Sequence, residues 1–163
     1  MPVIRRRPER LPLRAPRPDG TTWPTRREVG RPSFAASTLY QTGYGQAFSP
    51  EAHDIADRLL EQLLPKVDLD AAPEDLPYLR RLLSSAAQIG AGIGMVERRV
   101  AQPGEHSTDR QVAGALLEAG DDLPAMPARQ HETAVYLLHC GYYLARTGPA
   151  GLAALLVQLD EEL

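Results

Sequence analysis

Residues 77–100 are PYLRRLLSSAAQIGAGIGMVERRV, and this stretch decides the fold. Its apolar residues recur in alternating steps of three and four over three heptads, at Leu79, Leu82, Ala86, Ile89, Ile93, Val96 and Val100. That spacing is typical of a helix that packs along its whole length against a neighbour. Pro77 is a favourable first-turn residue, and Gln102-Pro103-Gly104 ends the pattern. The stretch therefore predicts a long central helix.

A strip of small residues runs along this helix, with Ala86, Gly90 and Gly94 spaced by four. A glycine inside a helix costs about 1 kcal/mol relative to alanine, so the strip needs a compensating contact. We predict that it is a helix-packing or oligomer interface, with a helix of this or another subunit directly on it. A nucleotide-binding glycine loop is disfavoured because no strand precedes residues 90–94 and the third glycine of that motif is misplaced.

Helical periodicity continues on both sides of this stretch. Ser49 as N-cap and Pro50 in the first turn start a helix that ends near Leu63. Further helices are predicted from about Thr108 to Gly120, Ala128 to Arg146 and Leu152 to Leu159. No segment alternates like a strand. The predicted fold class is all-α, a small helical bundle built on a long helical hairpin in which the two long helices run antiparallel.

The N-terminal part of the chain has a different composition. Eight of the fifteen prolines lie within residues 1–50, and their close spacing excludes a regular helix or a central strand there. Such a segment cannot bury enough apolar surface to offset an ordering cost of about 1–2 kcal/mol per residue. We expect residues 1–48 to form an extended or disordered arm. Residues 49–163 are expected to form a helical domain that folds without it.

Charge is divided between these two parts. Residues 1–50 hold nine arginines and three acids, a net +6, whereas residues 51–163 hold nine bases and eighteen acids, a net −9. Guanidinium groups favour bidentate contacts with phosphate or carboxylate, although a G+C-rich genome would also favour arginine over lysine. We predict nucleic-acid or partner binding by Arg5, Arg6, Arg7, Arg10, Arg14, Arg17, Arg26, Arg27 and Arg31, with Trp23 and Phe34 as aromatic anchors.

Catalytic and metal motifs are weak. His131 and His139 are two helical turns apart, and neither the H-E-x-x-H motif nor a Glu-x-x-His pair accompanies them. His139 and Cys140 are adjacent, so on a helix their side chains point about 100° apart and cannot act as base and nucleophile. Cys140 is better explained as a buried core residue. We therefore predict no catalytic residue, metal or cofactor, and no enzymatic activity.

Location follows from two further observations. The single cysteine excludes an internal disulfide, and the start of the chain lacks the apolar stretch of a signal peptide. No run approaches the roughly 18 apolar residues that a membrane span needs. We expect a cytoplasmic protein that makes no membrane contact.

The order of several motifs resembles that of small terminase subunits of tailed bacteriophages, specifically the P27-like group. These motifs are Gly30-Arg31-Pro32-Ser33, the helix opening Ser49-Pro50-Glu51-Ala52, the entry into a long helix at residues 75–83, and a final Glu132-containing helix that runs into the turn at residues 144–152. The resemblance covers most of residues 30–156. It implies a non-enzymatic DNA-recognition subunit that assembles as a ring and passes viral DNA to a separate motor ATPase.

A second hypothesis comes from the aromatic residues of the arm. The chain would be a structural adaptor or virion protein whose arm lies along neighbouring subunits of a capsid, connector or similar assembly. Both hypotheses make the protein part of a homo-oligomer or larger assembly, and the first adds duplex DNA as a partner. The sequence leaves the partner of the arm open between DNA and protein.

Overall fold

The computed structural model of the protein describes residues 14–100 and 109–162, and all regular secondary structure in these ranges is helical. Seven α-helices lie there: α1 Arg26–Val29, α2 Phe34–Gln46, α3 Pro50–Leu63, α4 Leu76–Val100, α5 Asp109–Asp121, α6 Ala128–Thr147 and α7 Ala150–Glu162. Two short 3-10 turns, Leu64–Lys66 and Pro73–Asp75, connect α3 with α4. The predicted all-α helical bundle is confirmed.

Helix α4 is the centre of this bundle, because α2, α3, α5 and α6 all pack against it. Its buried surface is wider than the predicted stripe. Ile93 lies on that stripe and is fully buried. Leu83, Ala87 and Ala91 lie outside the stripe and are fully buried too. A helix covered by neighbours on several sides needs apolar or small residues over most of its circumference.

The two long helices α4 and α6 run in the same direction. Gly90 lies against Leu138 and Gly94 against Tyr142, and the Nη1 of Arg98 donates to the Ala145 carbonyl at 3.3 Å. Successive residues of α4 thus meet successive residues of α6. The expected antiparallel hairpin is wrong for this pair, because α5 forms a complete returning helix between them.

The strip of small residues accommodates α6 of the same chain. A Cβ added at Gly90 would overlap the Leu138 carbonyl oxygen, and one added at Gly94 would lie 2.8 Å from the Tyr142 backbone carbonyl oxygen. Ala86 is fully buried in the same core. The close approach is mutual, since Gly141 of α6 faces the backbone of α4. Gly90 and Gly94 are therefore used inside the chain rather than presented to a second subunit.

Much of the predicted arm is folded, which corrects the boundary at residue 48. Helices α1 and α2 both lie within residues 1–48, and Ser33 caps α2 by accepting a 3.1 Å hydrogen bond from the Ala36 amide. Helix α2 packs on α4 and α5 through Ala36, Leu39, Tyr40 and Gly43. The proline argument fails here because residues 33–49 contain no proline. Apolar residues also lie on both the buried and the exposed face of α2, so the helix lacks a clear amphipathic pattern.

Residues 14–25, which we call the N-terminal strap, contain no helix or strand, as predicted for this part of the chain. A turn at Arg17-Pro18-Asp19-Gly20 is closed by a 2.9 Å hydrogen bond from the Gly20 amide to the Arg17 carbonyl. Gly20 has φ +74°, which glycine adopts without strain. At the start of the strap, the Gln158 side chain of α7 donates to the Arg14 carbonyl at 3.1 Å. The strap thus follows the surface of the bundle.

Candidate nucleic-acid and partner interface

The structure divides the nine predicted arginines into three groups. Arg5, Arg6, Arg7 and Arg10 lie outside the described residues. Arg17 and Arg26 form ion pairs with acids of the helical bundle. Arg14, Arg27 and Arg31 are exposed. The predicted site is therefore not one continuous basic surface, and its members have different roles.

Arg17 fastens the strap to the bundle. Its side chain is only 8% exposed and forms a salt bridge with Asp109, the first residue of α5. Its Nη1 donates to the Thr22 carbonyl at 2.7 Å, and its guanidinium carbon lies 5.0 Å from the centre of the Trp23 ring. A cation over an indole face is attracted by the ring quadrupole. These contacts engage the guanidinium inside the chain, so it is not presented to a phosphate.

Trp23 is an anchor, but it docks on its own chain. The indole Nε1 donates to the Pro16 carbonyl at 2.9 Å, and the ring meets His139 and Tyr142 of α6 edge-to-face at 5.8 and 5.6 Å. Burial lowers the pKa of His139 below its usual value of 6.5, against the opposing effect of its contact with the Val135 carbonyl. The imidazole beneath Trp23 is therefore neutral at pH 7. Trp23 is half-buried and unsuited to receive an outside partner.

Arg26 connects α1 to the end of α5. Its two terminal nitrogens donate to the two carboxylate oxygens of Asp121, both at 2.8 Å. These hydrogen bonds lower the pKa of Asp121 and raise that of Arg26. Such a bidentate pair is the geometry in which a guanidinium would also hold a phosphate. Here the carboxylate of Asp121 already occupies that position.

Two of the three exposed arginines lie on the same part of the surface. Arg27 lies on α1 and Arg31 follows it by four residues. Among the described residues, no acidic side chain forms an ion pair with either of them. Phe34 begins α2 three residues later and is 89% exposed. Within the described residues, this group is a part of the predicted interface that is exposed to a partner.

A polar cluster that the sequence did not reveal lies beneath the strap. Arg17, Glu97, Tyr142 and Arg146 line a cavity of about 240 Å³ together with Asp109. Glu97 is 4% exposed. Burial of the Tyr142 hydroxyl, together with the negative charge of the nearby Glu97, raises the pKa of Tyr142 to about 12. The Nε of Arg146 is buried and has no hydrogen-bond partner in the described part of the chain. Glu97 escaped notice because it falls between stripe residues Val96 and Val100, where an acid is normally solvated.

One large groove on the described surface is lined by more acidic than basic side chains. It has a volume of about 1160 Å³ and lies along the connector between α3 and α4. Its lining includes Glu61, Asp68 and Asp70, against Arg80 as the basic residue. A groove with this charge repels a phosphate backbone. The basic residues predicted to contact nucleic acid lie instead on the N-terminal side of the chain.

The histidines and the cysteine are not gathered into a site. His131 lies 3.4 Å from the Gly120 carbonyl, whereas His139 lies under Trp23 and Cys140 is buried in the core. Within residues 14–100 and 109–162, no group of three or more His, Cys, Asp or Glu side chains is placed to hold a metal ion. In the same ranges, no helix combines the length and the apolar composition needed to cross a bilayer.

Comparison with known proteins adds no assignment. No family model, curated protein or solved structure matches the chain. Function must therefore be inferred from the residues themselves, and the exposed arginines and the exposed aromatics are the features used for this purpose.

Proposed function

We propose that the protein is a non-enzymatic component of a phage or phage-like assembly and that it recognises duplex DNA in the manner of a small terminase subunit. The observation that carries this proposal is the division of the arginines. Arg17 and Arg26 are held by acids of the bundle, whereas Arg27 and Arg31 project to solvent without an ion pair among the described residues. Arg27 and Arg31 form no described ion pair that would stabilise the fold, and contact with DNA phosphates would give them a function.

The charge layout supports the same proposal. Residues 51–163 carry a net −9, so most of the surface repels DNA. The N-terminal residues carry the opposite charge, and the exposed Arg27 and Arg31 lie at their junction with the bundle. DNA held there contacts basic residues and avoids the acidic groove. Such a site gives backbone contact that depends strongly on salt and carries no sequence information of its own.

A second candidate is the structural adaptor, and the strap favours it. Arg17 and Trp23 bind surfaces formed by residues far along the chain, at Asp109, His139 and Tyr142. The same contacts made on a neighbouring copy would dock the strap in trans, as in domain swapping. In this function the exposed arginines would face acidic protein rather than phosphate.

A salt titration of duplex DNA binding, followed by fluorescence anisotropy, tests the DNA proposal. Replacing Arg27 and Arg31 together by alanine is expected to weaken binding and to flatten the log-log salt dependence by about two units, since each phosphate contact contributes roughly 0.9. The matched control replaces Arg58 and Arg80, which are exposed on the acidic part of the chain. The control makes the same change in net charge and should leave the slope unaltered.

Two results would count against the proposal. Equal slopes for the two double variants would mean that DNA does not contact Arg27 and Arg31. Absence of DNA binding by the full chain even at low salt would overturn the packaging role and favour the adaptor. The variants are suited to this test because neither pair of arginines forms a described contact with the core, so folding should be retained.

A further inference from the structure

The outer face of α2 is exposed, aromatic and uncharged. Residues 32–50 contain no Asp, Glu, Lys, Arg or His, in a chain of which 24% is charged. Phe34 is 89% exposed, Phe48 68% and Tyr44 46%. The Tyr44 ring meets those of Tyr40 and Phe48 edge-to-face at 6.3 and 5.9 Å, so these three rings adjoin one another at the C-terminal end of α2, while Phe34 lies at its N-terminal end. An exposed surface that carries aromatic residues and no charge marks an interaction site.

The exposed residues of α2 are spaced like the seam of a coiled coil. Phe34, Thr38, Gln41 and Gly45 of α2 follow one another in steps of four and three, Phe48 continues this spacing in the turn after α2, and all five are exposed. A Cβ added at Gly45 would meet no described atom within 4 Å, whereas one added at Gly43 on the opposite face would collide with Ile93. An exposed helical glycine costs about 1 kcal/mol and gains nothing within one chain. We explain Gly45 as a position where the backbone of a second helix can approach closely.

This seam is self-complementary about Gln41. Phe34 lies seven residues before Gln41 and Phe48 seven residues after it. In an antiparallel pair, Phe34 of one copy therefore lies opposite Phe48 of the other copy. The two Gln41 side chains then face each other, and an amide can both donate and accept a hydrogen bond. We infer that two copies of this chain pair through the outer face of α2 in antiparallel orientation.

Charge at the ends of α2 favours the same arrangement. Arg31 lies ten residues before Gln41 and Asp54 thirteen residues after it, and both are exposed, whereas Glu51 forms a salt bridge with Arg98. Antiparallel pairing brings the basic end of one copy to the acidic end of the other. A parallel pair would instead place like charges together. Complementary ends of this kind select orientation more than affinity.

The size of the surface sets the strength of the dimer. Together, the exposed fractions of Phe34, Tyr44 and Phe48 equal about two whole aromatic side chains, or roughly 300–500 Å² per copy. A standard interface buries about 800 Å² per partner. The dimer should therefore be reversible and depend on protein concentration. This inference does not rest on DNA binding, and it differs from the predicted interface at Gly90 and Gly94, which α6 occupies.

Sedimentation velocity of the full chain without DNA tests the pairing. The wild type is expected to shift from monomer to dimer as concentration rises. Gln41→Lys and Gln41→Glu each place like charges at the two-fold axis and should each remain monomeric, while an equimolar mixture of the two should restore the dimer. Gln62→Lys on the exposed side of α3 is the matched control and should dimerise as the wild type does. Circular dichroism checks that all variants are folded.

Three results would overturn the inference. The first is a wild type that stays monomeric at every concentration. The second is an assembly that neither substitution at Gln41 weakens. The third is a mixture of the two charged variants that fails to pair although each is folded and monomeric alone, since opposite charges at the axis must attract if Gln41 faces its own copy. None of these results depends on whether the protein binds DNA.

Discussion

Deleting residues 1–45 is expected to abolish cooperative unfolding of the protein. The deletion removes the strap and nearly all of α2, whose Leu39 and Tyr40 are buried against α4 and α5. Each large apolar side chain contributes about 1.5–3 kcal/mol when buried, and a domain is typically stable by only about 5–15 kcal/mol. Loss of α2 also exposes Ile93 and Leu116. Thermal and urea unfolding followed by far-UV circular dichroism measures the effect.

The control for this deletion is removal of residues 1–13, which takes away four arginines and none of the described contacts. That shorter deletion should unfold with the midpoint of the full chain. The sequence alone predicted that the chain lacking residues 1–45 would fold. If the chain lacking residues 1–45 keeps a cooperative transition at the full-length midpoint, α2 is not part of the core.

Replacing Gly90 is expected to destabilise the bundle by about 1–3 kcal/mol, even by alanine, although alanine favours a helix. The added Cβ would overlap sterically with the Leu138 carbonyl oxygen of α6. Backbone cannot move aside as a flexible side chain can, so the two helices must separate. For a chain of this length, each kcal/mol lowers the melting temperature by about 2–4 °C. Gly90→Leu should have a larger effect than Gly90→Ala.

Gly120→Ala is the matched control for Gly90→Ala. It is the same substitution on the buried side of a neighbouring helix, but the new Cβ would lie 3.6 Å from Val135, an ordinary contact distance. Its melting temperature should be unchanged or slightly higher. Equal melting temperatures for the two variants would show that α6 does not approach α4 as closely as described.

Sequence patterns predicted the elements that have strong local signals. The spacing of apolar residues between Leu79 and Val100 identified α4, and Ser49 with Pro50 identified the start of α3, where the Ser49 hydroxyl accepts from the Ala52 amide. These features act within one or two helical turns, so they are visible in a single sequence. The small residues at Gly90 and Gly94 also indicated close packing, although not which helix would provide it.

Helix α2 was missed because its signals conflict. Its buried residues include Ala36 and Gly43, which are small, while the solvent side carries Phe34 and Tyr44. Amphipathic helices are recognised by a difference between their faces, and here the apolar residues lie on both. If α2 pairs with a second copy, as we infer, the same residues that hide the helix form its interface.

The candidate interface was predicted only in part, since its contacts join residues distant in sequence. The arginine count indicated a basic region, but no local pattern shows that Asp109 faces Arg17 or that Asp121 faces Arg26. Both pairs depend on α5 running back along the bundle. The arginines left exposed can be identified only after these pairs are known.

Amide hydrogen exchange in α2 tests the central claim most directly, namely that α2 belongs to the folded core although the sequence predicts it as part of an extended arm. The amides of Leu39, Tyr40 and Gly43 are expected to exchange as slowly as that of Ile93 in α4, because they become accessible only when the bundle opens. Exchange of these three amides at the rate of an unstructured peptide, while Ile93 stays protected, would contradict it.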